Sequence, residues 1–117
     1  MVKVWYLKQE GTTIGVLSYD DEYKHYSLDV SRPDLFMGHL EKCFLNDAMV
    51  RRWMEKRLTP EYQGGYLKWV ESLGIDPNAP DHREQLFFRT KGANIQGSMW
   101  VTENESDGFE ESPYFGL

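Results

Sequence analysis

The chain reads as an α+β fold: an N-terminal three-stranded antiparallel β-meander, three to four short helices, one C-terminal strand and an acidic tail. Three observations predict it. Apolar residues alternate at period two through the first thirty positions, take helical spacing between residues 36 and 73, and return as a β-compatible run at 98–102. With 117 residues, 40% of them hydrophobic and 15% aromatic, the chain has enough apolar mass for one core. A single domain over 1–102 is expected, with 103–117 as a flexible acidic appendage.

Along the first strand, Val2, Val4 and Tyr6 fall on one side and Trp5 and Leu7 on the other, until Gly11-Thr-Thr breaks the pattern. Ile14 to Tyr19 resumes it. The polar Asp20-Asp21-Glu22 run marks a second turn, and Tyr26, Leu28 and Val30 then alternate with Ser27 and Asp29 in a third strand predicted over Tyr23 to Val30. Three strands alone are barely stable, so helices must cover one face.

Pro33 and Asp34 suit the first turn of a helix that carries Phe36, Leu40, Cys43 and Phe44 at helical spacing and ends near Asn46. The next helix is capped by Asn46 or Asp47, and Val50, Trp53, Met54 and Leu58 form its core-facing stripe. Thr59-Pro60 stops it. Tyr62, Tyr66, Trp69, Val70 and Leu73 then continue to Gly74, a C-terminal cap after which Ile75 packs back. Gly64-Gly65 costs roughly 1 kcal/mol per glycine inside a helix, so either this helix begins at Tyr66 or the pair admits a close neighbour. Asp81 with Glu84 matches a capping box, which predicts a short helix carrying Leu86, Phe87 and Phe88 to Lys91-Gly92, with a strand as the alternative. Ser98 to Thr102 is the last strand, expected to pair with the meander.

The formal charge of -6 is placed unevenly: residues 102–117 hold Glu103, Glu105, Asp107, Glu110 and Glu111 and no Lys or Arg. Such a balance argues against direct nucleic-acid binding, which rests on neutralising phosphates. One cysteine, Cys43, cannot form an internal disulfide, and no apolar run approaches the ~20 residues of a membrane span. The expectation is a soluble cytoplasmic protein.

No catalytic or cofactor motif emerges. Neither G-x-S-x-G nor a phosphate-binding glycine pattern is present. His39 and Cys43 are four apart, but a structural zinc site takes four ligands. Catalytic, cofactor and metal residues are therefore all read as none. The chemistry that stands out is a basic helix, where Arg51, Arg52, Lys56 and Arg57 surround Trp53 and the lone acid Glu55. Much of it reads as a solvated face with an Arg51/Glu55 pair. As a set, Arg51, Arg52, Trp53, Lys56 and Arg57 form the candidate partner-binding surface, for an acidic protein or for the chain's own tail. Arg57, one turn from Trp53, is placed to stack on the ring or to reach a buried carboxylate.

Two stretches carry a family resemblance. Val4-Trp5-Tyr6-Leu7 followed by Ile14-Gly15-Val16-Leu17-Ser18-Tyr19 resembles the small β-rich N-terminal subdomain of HipA-type toxin kinases, with its "G-x-L-S" strand. Trp53, Arg57 and Pro60, then Gly92 and Gly97-Ser98-Met99-Trp100-Val101, resemble the W-x-x-x-R-x-x-P segment and following strand of Firmicutes-type HipA-like proteins. Gly97 replaces the acid of that pattern, Met99 its Tyr, and no Arg closely follows Pro60. The resemblance implies a stand-alone module without a kinase body. It would be a non-enzymatic protein-binding partner, accessory or antitoxin-like, of a HipA-like kinase. Two other classes are compatible with the sequence: a phage or mobile-element protein that inhibits a host defence system by acidic surface mimicry, and a small enzyme with a dispersed site using residues such as His25, His39 and Asp29.

Overall fold

A computed structural model describes residues 1–36, 44–93 and 99–107. In chain order the elements are β1 (Val2–Gln9), β2 (Thr12–Asp20), β3 (His25–Val30), β4 (Phe44–Leu45), α1 (Asp47–Lys56), α2 (Tyr66–Ser72), α3 (His82–Arg89) and β5 (Met99–Thr102). The strands form one antiparallel sheet in the order β4-β3-β2-β1-β5. The predicted meander is its centre, and the last strand pairs with β1 as expected, Leu7 opposite Val101.

Period-two alternation sends Trp5, Leu7, Leu17, Tyr26, Leu28, Val30, Leu45, Met99 and Val101 to one face. Val50, Trp53 and Met54 of α1 and Phe87 of α3 cover that face and complete the main core. Register depends on Gly15. It sits opposite Val30 in β2, and a Cβ there would lie 2.8 Å from the carbonyl oxygen of Asp29, so only glycine lets the two strands approach. A second cluster of Tyr66, Val70, Ile75 and Leu86 joins α2 to α3.

Local signals hold at several termini. Asn46, extended at φ -78 and ψ 177, accepts the Met49 N–H at 3.1 Å and caps α1. Gly74 adopts φ 80 after α2, and Ile75, buried, donates to the Val70 carbonyl at 3.3 Å. The α2 helix begins at Tyr66 after Gly65 at φ 83, so Tyr62 lies outside the helix and is 89% exposed instead of joining its stripe.

Four expectations are corrected. Phe44 belongs to β4, not to a helix, because Phe44 and Leu45 pair with Asp29 and Leu28 and alternate outward and inward as strand residues do. Arg32 to Phe36 form a turn, closed by Leu35 N–H to Arg32 C=O and Phe36 N–H to Pro33 C=O; residues 37–43, and so His39, Leu40 and Cys43, lie outside the described residues. The third strand starts at His25, since Asp20 Oδ1 accepts from Glu22 and Tyr23 N–H and holds those residues in the turn. The segment after Asp81 is the predicted helix, yet without a capping box. Asp81 has φ -104 and ψ 19 and accepts from the Gln85 amide, while Glu84 is drawn away to Tyr26 and Arg51.

Candidate functional site

The basic set on α1 divides between the interior and the surface. Arg51, its side chain half-exposed, reaches across to α3 and donates to Asp47 at 3.0 Å, to Glu84 at 2.9 Å and to the Lys24 carbonyl at 3.1 Å, with its guanidinium 5.0 Å from the Tyr26 ring centroid. The expected Arg51/Glu55 pair does not form. Glu55 instead pairs with Arg83, which also donates to the Thr59 carbonyl at 2.7 Å and the Tyr66 hydroxyl at 3.0 Å. Long-range partners on α3 outcompete the local i, i+4 contact because both arginines are partly buried there.

Arg57 does stack on Trp53, 5.8 Å from the ring centroid, but reaches no carboxylate among the described residues. Its Nε donates to the Gly92 carbonyl at 2.6 Å and its second nitrogen to the Met99 carbonyl at 2.9 Å. Burial pushes its pKa down to about 10. Arg57 therefore works as a staple, holding the end of the α3 region and the start of β5 to α1. Trp53 is buried between Phe36 and Phe87. Of the five residues, Arg52 and Lys56 are exposed, Arg51 is partly exposed while engaged by its acids, Arg57 is partly buried and Trp53 is buried.

Around Tyr26 the polar groups close on one another. Its hydroxyl donates to Glu84 at 2.9 Å, and its backbone N–H donates to Asp47 Oδ1 at 2.8 Å. Burial, then the Glu84 carboxylate, raises the Tyr26 pKa well above its ordinary value. Burial alone would raise Asp47, but the Tyr26 N–H and Arg51 outweigh it and leave Asp47 below the usual carboxylate value. His25 and Asp29 sit at opposite ends of β3, both exposed, and do not converge with one another. Among the described residues no group of three or more His, Cys, Asp or Glu could hold a metal. No helix among them is long and apolar enough to cross a membrane.

Each sheet edge is occupied in part: β5 pairs with Tyr6 to Gln9 of β1 and, among the described residues, leaves Val2 to Trp5 without a strand on that side. On the β3 side, Asp47 takes the Tyr26 N–H that a further strand would use, and β4 covers Leu28 and Asp29. On the β5 side, the Val101 N–H donates to the Lys91 carbonyl at 2.7 Å, and the Met99 carbonyl accepts from Arg57. These contacts limit strand addition at Tyr26 and along β5.

The face of the sheet away from the helices is different. Alternation sends Val2, Val4, Tyr6, Val16 and Phe44 to it, and Val2 is 56%, Val4 38% and Phe44 52% exposed. Phe44, Asp29, Val16 and Tyr6 lie in one row across four strands. At the β5 end of this face Lys8 is buried, its ammonium donating to Thr13 at 2.9 Å and to the Glu105 carbonyl at 2.8 Å. The first tail residues therefore lie against β1, with Lys3 pairing to Glu103 at 3.2 Å. Residues 108–117, on which most of the expected tail docking falls, lie outside the described residues.

Sequence reasoning passed over this apolar face. The signal was present in β1, where both alternating sets are apolar: a strand with one solvated face normally carries polar residues at Val2, Val4 and Tyr6. Compared with family models, curated proteins and solved structures, the chain matches none.

Proposed function

We propose that the chain is a non-enzymatic protein-binding module, an accessory or antitoxin-like cytoplasmic partner of a HipA-like kinase, and that it binds through the open sheet face. The observation that carries this reading is the set of outward apolar side chains Val2, Val4, Tyr6, Val16 and Phe44 on the sheet face away from the helices. Apolar side chains held on a rigid sheet are pre-ordered for association, because little conformational entropy remains to be lost. The kinase partner rests on the resemblance. What supports it is that Trp53, Arg57 and Gly92, which carry the resemblance, meet in space through the Arg57 staple.

Titration calorimetry of the purified chain against a HipA-like kinase tests the reading. A complex is expected whose affinity falls about tenfold or more in Phe44→Asp, equivalent to about 1.4 kcal/mol or more. The thermal midpoint of that variant should be nearly unchanged. Arg52→Ala and Lys56→Ala, which remove the solvent-facing cations of α1, should bind as the parent does. Absence of a complex would overturn the kinase assignment, and a complex indifferent to Phe44→Asp but lost in Arg52→Ala would move the site to α1.

A further inference from the structure

On the helix-covered side of the sheet, the end of β1 that α1 leaves free forms the floor of a trough. Its main hollow, about 580 Å³, runs between α3, β5 and the first tail residues over Trp5, Tyr26 and Phe88. A second hollow of about 440 Å³, bounded by Tyr19 and Asp21, meets it at Lys3 and Trp5. Trp5 and Phe88 stack at 4.4 Å between centroids, 23° between planes, so the floor is a rigid aromatic platform.

The rim is acidic. Asp81, Glu103 and Asp107 stand around the larger hollow, whose lysines are Lys3 and Lys91. Each lysine is engaged: Lys3 with Glu103 at 3.2 Å, and Lys91 over the Trp100 ring at 5.5 Å. Glu84 is already matched from behind by Arg51. Among the described residues, Asp81 and Asp107 accept from neutral donors, the Gln85 amide and the Thr102 hydroxyl. Most informative is the Lys3 ammonium, which lies 5.3 Å from the Trp5 centroid on a side chain that is 63% exposed. The chain thus places its own loosely held cation on the aromatic platform, where a cation from outside would be attracted by the same ring face and the same Glu103 carboxylate.

We infer that this trough binds a basic peptide segment, seating an Arg or Lys side chain over Trp5 in place of Lys3 and pairing its other cations with Asp81 and Asp107. Charge complementarity selects the occupant: an apolar floor within an acidic rim favours alternating apolar and cationic residues. The length shared by two adjoining hollows suits a chain of several residues. The inference is independent of the kinase reading, because the trough and the open apolar face lie on opposite sides of the sheet.

The test uses the full chain and three N-acetylated, C-amidated hexapeptides that alternate leucine with arginine, citrulline or glutamate, titrated by two-dimensional NMR. The arginine peptide should shift signals of Trp5, Phe88 and Asn104, and should bind about tenfold or more tighter than the other two. Lys3→Met, which removes the resident cation, should tighten binding about two- to fivefold. Asp81→Asn combined with Asp107→Asn should weaken it by a similar factor, as exposed ion pairs do. All three positions are at the surface or the rim, so the variants remain folded and informative. Failure of the arginine peptide to bind at millimolar concentration, equal binding of the citrulline peptide, or unchanged or weaker binding in Lys3→Met would each overturn the inference.

Discussion

The two faces of the sheet use the same alternation to opposite ends. Toward the helices, Leu7, Leu17 and Leu28 are fully buried, and α1 and α3 supply Val50, Trp53 and Phe87 to cover them. Toward the other side, Val2, Val4 and Phe44 stand in the open on the very strands whose alternate residues make the core. The difference teaches that the apolar content of the meander exceeds what folding consumes. Stability lives on one face, and the excess on the other is available for a partner.

The comparison predicts effects that separate sharply by face. The largest should come from Trp53→Ala, which empties the space between Phe36 and Phe87 and should cost about 3–5 kcal/mol in chemical denaturation. Next is Gly15→Ala, whose methyl would meet the Asp29 carbonyl at 2.8 Å; strand separation to relieve it should cost about 1–3 kcal/mol. Arg57→Met keeps much of the packing on Trp53 but leaves the Gly92 and Met99 carbonyls without their donor. A loss of about 1–3 kcal/mol is expected, with β5 amides exchanging faster than those of β2. If Arg57→Met proved neutral, the staple would have no energetic content.

The polar network on the covered face sets the pH dependence. Asp47 is lowered in the folded state, so its contribution is present above the unfolded value near 4 and is lost as pH falls through the folded one. Tyr26 is raised, so its contribution is full below about 10 and declines as pH rises beyond that. Thermal midpoints measured across pH should therefore fall at both extremes. Asp47→Asn should flatten the acid limb and Tyr26→Phe the alkaline one. The smallest effect on stability belongs to the open face, where Val4→Ser and Phe44→Ser should change it by less than about 1 kcal/mol.

Much of this architecture was legible because it is local. The period-two runs of β1 to β3, the Val50/Trp53/Met54 stripe, the Asn46 cap and the Gly74–Ile75 stop each follow from neighbours within a few residues. What was hidden is long-range. A two-residue strand such as Phe44–Leu45 carries no period of its own and is defined by its pairing with Leu28 and Asp29. Helical spacing could not show that Arg51 would prefer Glu84, 33 residues away, over Glu55 one turn along the same helix. Arg57 was singled out by its proximity to Trp53, and that stacking is present; its carbonyl partners at Gly92 and Met99 could be found only after the chain had folded. The basic cluster looked like a surface because charge is visible in a sequence and burial is not.

The central claim, that the sheet face away from the helices is the one that meets a partner, is tested most directly by the valine methyl groups. Val2, Val4 and Val16 report on the open face, whereas Val30, Val50, Val70 and Val101 are buried. In a methyl NMR titration with a HipA-like kinase, the proposed partner, the signals of Val2, Val4 and Val16 should broaden and shift while the four buried valines stay near their free positions. Unperturbed Val2, Val4 and Val16 methyls in a saturated complex, with the backbone amide signals of Arg52 and Lys56 moving instead in a parallel amide spectrum, would contradict the account.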